Sequence, residues 1–471
     1  MVTPEHYFIL RDGTSIRDLG ELVFVLQKID KQTFEYHVND QKNDFANWIR
    51  YVFKAGRLAD TVSGYDYAQR KQFASAIRKH LAEKKILVLN AGSSSLKFQL
   101  IEMTAKDCLF NGIIDAIGLA NCSLIIQDQE PKMVRVNSHE EAVRLLISEM
   151  LSSEVIGDIS EICAIGHRVV HGGEAFREPS AIDAQVIGKI KELCDIAPLH
   201  NPHNLSGIYA CQNSLPGIPQ VAVFDTSFHQ SIPKEKFLYG LPLEFYEKYK
   251  IRKYGFHGSS HKYINGLMQE YYRIKKKKNP KIIICHLGNG CSITAIRNGK
   301  SFNTTMGFTP TEGLMMGTRS GSLDPYIALH LEKILSIGYD DIGRILNKQS
   351  GLLGISGQPD MREIWKSRRE ERSRLAMDMF SDRLVHYIGA YIAELGGIDG
   401  IVFTAGIGEN AYYIRKKVLE NFKYLGLKLD EKKNLQNDFI ITRNDSKVEC
   451  FVIKTNEELQ IAMEARKLLK I

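Results

Sequence analysis

Residues 86–100 read ILVLNAGSSSLKFQL, and residues 282–296 read IIICHLGNGCSITAI. The two stretches lie on one another without a gap. Each is a short apolar run, a tight polar turn containing glycine, and a second apolar run, the pattern of strand, turn and strand. In this alignment Asn90 falls on His286, Gly92 on Gly288 and Ser93 on Asn289. The likeness is one of pattern rather than identity. Two copies of such a unit, far apart in one chain, predict a duplicated fold with a site between its halves.

Outward from these units, strands alternate with helices. Gln220 to Phe224, Ile401 to Thr404 and Cys450 to Ile453 read as strands. Glu140 to Leu151, Ile187 to Cys194, Ala376 to Leu395 and Glu457 to Leu469 carry helical periodicity. That alternation is the signature of an α/β architecture. The character changes before Lys85. There Leu19, Leu22, Val23, Leu26 and Ile29 recur at helix spacing, as do Phe45, Trp48, Ile49 and Val52, with Asp44 as the expected cap. A third helical stretch runs from about Tyr65 to Glu83. Residues 1–84 hold no phosphate loop, metal cluster or nucleophile arrangement. They read as a small helical module for interaction or regulation, and faintly resemble an uncharacterised helical module found fused to other domains, which names no activity.

Composition narrows the function classes. The chain has 471 residues, 44% hydrophobic and 25% charged, with a formal net charge of +7. This is an ordinary globular composition. The positive excess is mild over such a length and does not call for nucleic acid; the run Lys275 to Lys278 reads as a solvated loop. None of the eight cysteines forms a CxxC pair, so reduced thiols in a cytoplasmic protein are expected. The N-terminus MVTPEHYFILRDG lacks the basic and apolar regions of a secretory signal, and no apolar run is long enough to span a bilayer.

Several clusters carry chemistry. NAGSSSLK puts Gly92, three hydroxyls and Lys97 in a corner that suits phosphate oxygens, although it is not a GxxxxGK[ST] loop. GHRVVHGGE and GLMMGTRSG frame Arg168 and Arg319 with glycines. VFDTSFH places Asp225 at a strand end, where α/β folds position their site residues. APLHNPHN, YGFHGSSH, TAGIGEN and TNEEL add His200, His257, a glycine-rich turn and Glu457. The histidines lack the spacing of a zinc helix, and no GxSxG elbow is present. Framed arginines with isolated carboxylates suit phosphoryl transfer, which needs cations around the moving group and a carboxylate for Mg²⁺.

Taken in order, NAGSSSLK, GHRVVHGGE, PLHNP, FDTSFH, YGFHGSSH, HLGNG, GTRSG, AGIGEN and TNEEL resemble the acetate kinase family from about Ile86 to the C-terminus. The resemblance implies a duplicated actin-like fold, with two domains at 85–227 and 228–456 around a cleft and the helix 457–471 packing back on the first. It implies a cytoplasmic homodimer that transfers phosphoryl reversibly between ATP and acetate, with Mg²⁺ and with Mn²⁺ as an alternative, and with no membrane or nucleic-acid partner. It carries Arg168, Arg319, Asp225 and His257 over as catalytic and His200 as a further active-site group. It carries Asn90 and Glu457 over to the metal, and Ser93 and Ser95 to the phosphate turn. Val170, Leu199, Phe256 and Pro310 become the pocket for the substrate methyl. Lys97, His286, Gly288, Asn289, Gly290, Asp360, Met361, Arg362, Gly406, Ile407, Gly408 and Asn410 become the ATP site. Two departures stand out: Gln358-Pro359 replace two serines common in the family, and Ser322 replaces an aspartate. Propionate or butyrate kinase activity stays open, as does a scaffold role on a decayed kinase fold. The N-terminal module is expected to regulate the enzyme or to bind an unidentified partner.

Overall fold

The computed structural model describes residues 6–53, 55–82, 84–127 and 129–471. Residues 1–5, on which the reading of the leader partly rested, and Glu83 lie outside them. Two mixed sheets dominate. One has eight strands, in the order Ser180–Ala181, Gln220–Phe224, Ile162–Val169, Lys85–Ala91, Leu96–Glu102, Asp107–Asp115, Ser123–Ile126 and Lys132–Met133. The other has five, in the order Lys300–Thr304, Cys291–Arg297, Ile282–Leu287, Gly400–Thr404 and Glu449–Val452. In the first half Lys85–Ala91 pairs antiparallel with Leu96–Glu102 and parallel with Ile162–Val169, and Asp107–Asp115 and Gln220–Phe224 flank these; in the second Ile282–Leu287 pairs antiparallel with Cys291–Arg297 and parallel with Gly400–Thr404, flanked by Lys300–Thr304 and Glu449–Val452. The same order twice is the duplication that the quoted stretches imply.

The leading strands are apolar throughout because both of their faces are covered. Leu87 and Leu89 join a cluster with Val143, Leu146 and Ile147 of helix His139–Ser152. Ile86 and Val88 point the other way, onto Leu459, Ile461, Ala462 and Ala465 of helix Glu457–Leu469. Gly166 permits that close approach, because a Cβ there would lie 2.7 Å from Ile461 Cγ2. In the second sheet Ile283, Cys285 and Leu287 face the large core under helix Glu371–Leu395. Ile282 and Ile284 face Ile264 and Met268 of helix Gly258–Ile274. Lys262 and Glu464 join these two covering helices by an ion pair of 2.6 Å.

The two hairpins differ in one respect. Ala91 pairs with Leu96 across the turn 92–95, whereas Leu287 pairs with Cys291 across 288–290, which is one residue shorter. The gapless alignment therefore holds for the first strand and slips by one in the second. A slip of one residue turns a side chain to the other face. By cross-strand position, Lys97 (opposite Asn90) corresponds to Ser292 (opposite His286).

The N-terminal segment has its own hydrophobic cluster, in which Ile16, Leu22, Leu26, Phe34, Phe45, Ile49, Phe73 and Ile77 are fully buried. Its helices are Leu19–Lys28, Lys31–His37, Asp44–Val52, Gly56–Val62 and Arg70–Ala82. Two short antiparallel ribbons accompany them, Phe8–Ile9 with Ser15–Ile16 and Val38–Asn39 with Lys42–Asn43. The cap expected at Asp44 belongs to Asn43, whose extended backbone lets its side chain accept from Ala46 N at 2.8 Å. Asp44 instead occupies the first turn, where negative charge favours the helix dipole. No helix among the described residues is long and apolar enough to cross a membrane.

Candidate active site

Between the halves lies a cleft of about 310 Å³. The first half contributes Asn90, Lys97 and Arg168, and the second contributes His257, His286 and the turn Gly288–Gly290. The segment joining the last strand to the last helix adds Thr455, Glu457 and Glu458. Thr455 and Glu458 were not among the expected site residues. Their signal was the same TNEEL stretch, where one turn delivers three polar side chains.

Arg168 leaves the end of strand Ile162–Val169 beside Asp225, which follows the parallel strand Gln220–Phe224. Asp225 is fully buried. It accepts from Arg168 Nε at 3.1 and 3.2 Å and from Nη2 at 2.6 Å, a bidentate clasp that fixes the guanidinium plane. Burial works against the charge on Arg168, but Asp225 and Glu457 more than offset it and raise its pKa. The carboxylate of Glu457 lies 3.9 Å from Arg168 Nε. Burial raises the pKa of Glu457 to about 7, Arg168 opposes the rise, and Asp225 and Glu458 add to it. A fifth of the Glu457 side chain stays exposed, 20%, so cleft water tempers the effect.

Arg319 arrives from the opposite half. Its Nη1 donates to Pro310 O at 3.2 Å, and burial lowers its pKa. The loop that carries it depends on Gly321, at φ +72, where a Cβ would lie 2.6 Å from the Leu314 carbonyl. A Cβ at Gly290 would come within 3.1 Å of His257 Nε2 and 3.5 Å of Arg319 Nη1, so the absence of a side chain there keeps the cleft open to both groups.

The histidines are held neutral. His257 starts helix Gly258–Ile274 in a left-handed conformation, φ 57. Burial, then His286 and Arg168, push its pKa well below the ordinary value. Its Nδ1 lies 3.0 Å from Ser292 Oγ, which is also 2.7 Å from His261 Nε2. Its ring stacks on His286 with centroids 4.2 Å apart. The pKa of His286 falls to about 3, from burial and then from Arg168, and its Nδ1 sits 2.7 Å from Ser260 Oγ. His200, before helix Asn201–Ser214, falls to about 4 through burial and then through the charges of Arg319 and Arg168.

Other expected residues sort into near and far. Val170 and Phe256 are buried in one cluster, and the Val170 amide is fixed by Asn204 Oδ1 at 3.0 Å. Leu199 is 60% exposed in the turn before His200. The turn of Ser93 and Ser95 closes by Gly92 N donating to Ser95 O at 2.8 Å, beside the cleft rather than lining it. Gly406, Ile407, Gly408 and Asn410 form the short helix Ala405–Asn410 after strand Gly400–Thr404, with Gly406 open to space. Asp360 caps helix Met361–Lys366 and clasps the exposed Arg362. The Met361 side chain is buried, 2% exposed, and leaves only main chain to a ligand. Both departures have a local account. Ser356 Oγ donates to Gln358 O at 3.0 Å and accepts from its amide at 3.2 Å, which closes the turn before Pro359. Ser322 Oγ accepts from Gly313 N at 3.0 Å and lies 2.9 Å from Tyr387 Oη, pinning the Arg319 loop.

The oxygen donors at one end of the cleft suit a hard divalent cation. Among the described residues no three His, Cys, Asp or Glu side chains converge on a metal position. Burial raises the pKa of Glu457, and a cation beside it would favour the charged carboxylate.

The sequence pattern of the Acetokinase family matches residues 85–463. The acetate kinase of Pseudothermotoga lettingae is 47% identical over 403 residues, covering 82% of this chain and 98% of that protein. The crystal structure of Porphyromonas gingivalis acetate kinase superposes with a TM-score of 0.78 at 41% identity, over 82% of this chain and 100% of the other. A propionate kinase from Francisella tularensis gives a TM-score of 0.77 at 41% identity, over 82% and 99%. The chain therefore belongs to the Acetokinase family, with residues 1–84 standing outside the matched region.

Proposed function

We propose that the chain is an acetate kinase, which moves the γ-phosphoryl of ATP to acetate and gives acetyl phosphate and ADP, reversibly and by direct in-line transfer. The observation that carries this is the cleft between the halves, lined by Arg168 from one and His257 from the other, with Arg319 reaching the same Gly290 that borders His257. A carboxylate is already a competent nucleophile at neutral pH. Its oxygen forms the new bond to phosphorus as the bond to the β-phosphate oxygen breaks, and no proton moves. Catalysis then rests on placement and on charge stabilisation. Arg168, fixed by Asp225, orients the carboxylate and the transferring group, and Arg319 opposes it. His261 donating to Ser292, and Ser292 donating to His257 Nδ1, leaves the His257 Nε2 proton for a phosphoryl oxygen. Lys97 and the Gly288–Gly290 turn receive the phosphates, and the Gly406–Asn410 turn with Asp360 and Arg362 receives the nucleoside. Mg²⁺, replaceable by Mn²⁺, would be held by Glu457 and Asn90 and would offset charge on the phosphates.

Val170, Phe256 and Pro310 leave room for a methyl group. One further methylene in such a pocket costs about 1–3 kcal/mol, so propionate should be a poorer substrate rather than an excluded one. The test is ADP formation by the purified chain with acetate, propionate and butyrate. We expect kcat/KM to fall in that order. A preference for butyrate would overturn the pocket assignment, and no turnover with any of the three would favour the scaffold reading.

The enzyme is proposed to be cytoplasmic and homodimeric. Helix Pro325–Leu335 has no buried residue, yet it presents Tyr326 at 71% exposure and Leu329 at 58%, with Ile334 and Leu335 also exposed. Apolar side chains left uncovered on one helix in this way support an interface with a second copy. Residues 1–84 are assigned to docking of a partner or to regulation, on the strength of a core of their own.

A further inference from the structure

Glu409 has no part in the chemistry described so far. It sits half-buried in the short helix Ala405–Asn410. One of its oxygens, Oε1, accepts two main-chain N–H groups that are far apart in sequence, Ala405 N at 2.8 Å and Thr455 N at 3.2 Å. Both ends of this bridge matter. Ala405 has φ +63, a left-handed conformation that a non-glycine residue keeps only when its surroundings hold it. Thr455 lines the cleft two positions before Glu457. Its hydroxyl is 2.7 Å from Ser260 Oγ, which is in turn 2.7 Å from His286 Nδ1. Thr455 is thus gripped by its amide from the glycine-rich turn and by its hydroxyl from the histidine side.

We infer that Glu409 is a positioning residue, tying the Ala405–Asn410 turn to the segment that delivers Glu457, so that nucleotide and divalent cation bind cooperatively. Ordering the turn steadies Ala405 and, through the shared Oε1, the Thr455 amide, and Glu457 is then presented at a fixed place. Coupling of this kind is reciprocal: an ion held at Glu457 must tighten nucleotide by the same factor. The inference rests on the reading of Glu457 as the metal-associated carboxylate.

The test uses the full chain and Mn²⁺ as a spectroscopic probe. Mn²⁺ affinity is measured by electron paramagnetic resonance with and without ADP, and ADP affinity by calorimetry with and without Mg²⁺. Glu409→Ala should shrink the mutual tightening about fivefold or more, while KM for acetate stays within about twofold. Glu409→Gln keeps the Oε1 acceptor for both amides and should restore coupling to within about twofold of the parent. Wild-type coupling in a folded Glu409→Ala protein would overturn the inference, and so would a Gln variant as defective as the Ala variant. If the Ala variant unfolds, Glu409→Asp, too short to reach both amides, takes its place with the same expectation. Glu457→Gln separates the two readings. Parental Mn²⁺ affinity in that variant would remove the metal assignment itself, whichever way Glu409 behaves.

Discussion

The hairpin at 85–102 and the hairpin at 282–297 occupy matching places in two sheets of the same strand order, yet they bring opposite chemistry to the cleft. The first pairs Asn90 with Lys97 and follows with Arg168 on the neighbouring strand, so it supplies fixed positive charge. The second pairs His286 with Ser292 and stacks His286 on His257, so it supplies neutral imidazoles locked by hydroxyls. The first hairpin can grip a charged, moving group. The other can offer hydrogen bonds to phosphates already stabilised elsewhere without adding repulsion to two arginines. A duplicated scaffold thus keeps its backbone and divides the electrostatic labour.

The hardest blow to this contrast comes from the arginines. Arg168→Ala and Arg319→Ala should each lower kcat by on the order of 10²–10³, by analogy with other transition-state charge donors, in proteins whose circular dichroism is unchanged. Parental turnover in either variant would break the picture of two halves converging on one group. Next is the pH profile. Glu457 acts as a carboxylate and has a pKa of about 7, so its active form is lost as pH falls through that value. At low Mg²⁺, kcat/KM should fall about tenfold per pH unit below pH 7 with a slope of one, and Glu457→Gln should abolish that limb. His286 and His200, at about 3 and 4, contribute nothing in this window. An acid limb that survives in Glu457→Gln would return the titration to a histidine and erase the neutral character of the second hairpin. A smaller effect sharpens the contrast. Ser292→Ala removes the hydroxyl between His261 and His257, and a lost hydrogen bond of about 1 kcal/mol should lower kcat about fivefold. Lys97→Met, at the equivalent cross-strand position, should cost more, because it removes a charge. The smallest effect is expected from deleting residues 1–84. With their own core and no part in the cleft, their loss should change kcat/KM by less than about twofold, as read by the same assay.

Much of this was legible before any coordinates. The strand–turn–strand repeat was readable because both leading strands are buried on both faces and so spell continuous apolar runs. The arginines and Asp225 were readable because glycines and strand ends mark them. What escaped reading was set by register and by tertiary contact. A turn shorter by one residue leaves no trace in an alignment of patterns, so Lys97 and Ser292 were not recognised as counterparts. Glu458 is named with Glu457 in TNEEL but reads as an ordinary helix-start carboxylate, and nothing in that stretch singles out Thr455. Asn43 displaced Asp44 as a cap because both side chains can cap, and only the backbone tells which one stands outside the helix. Glu409 lies in the AGIGEN motif, but its bridge could not be read there, since its partners are main-chain amides.

The last helix has a consequence for how the chain is made. Glu457–Leu469 closes a face of the first sheet, and Arg466 donates to Met103 O, 363 positions away in the chain. During synthesis the residues from Ile86 onward must therefore wait for the end of the chain before one face of their sheet is covered. The N-terminal cluster, complete by Ile77, faces no such delay. Contacts of such long sequence separation slow folding and leave apolar surface uncovered in the interval. A nascent chain stalled before residue 457 would be a folded module followed by a half-covered sheet, the species most in need of chaperone protection.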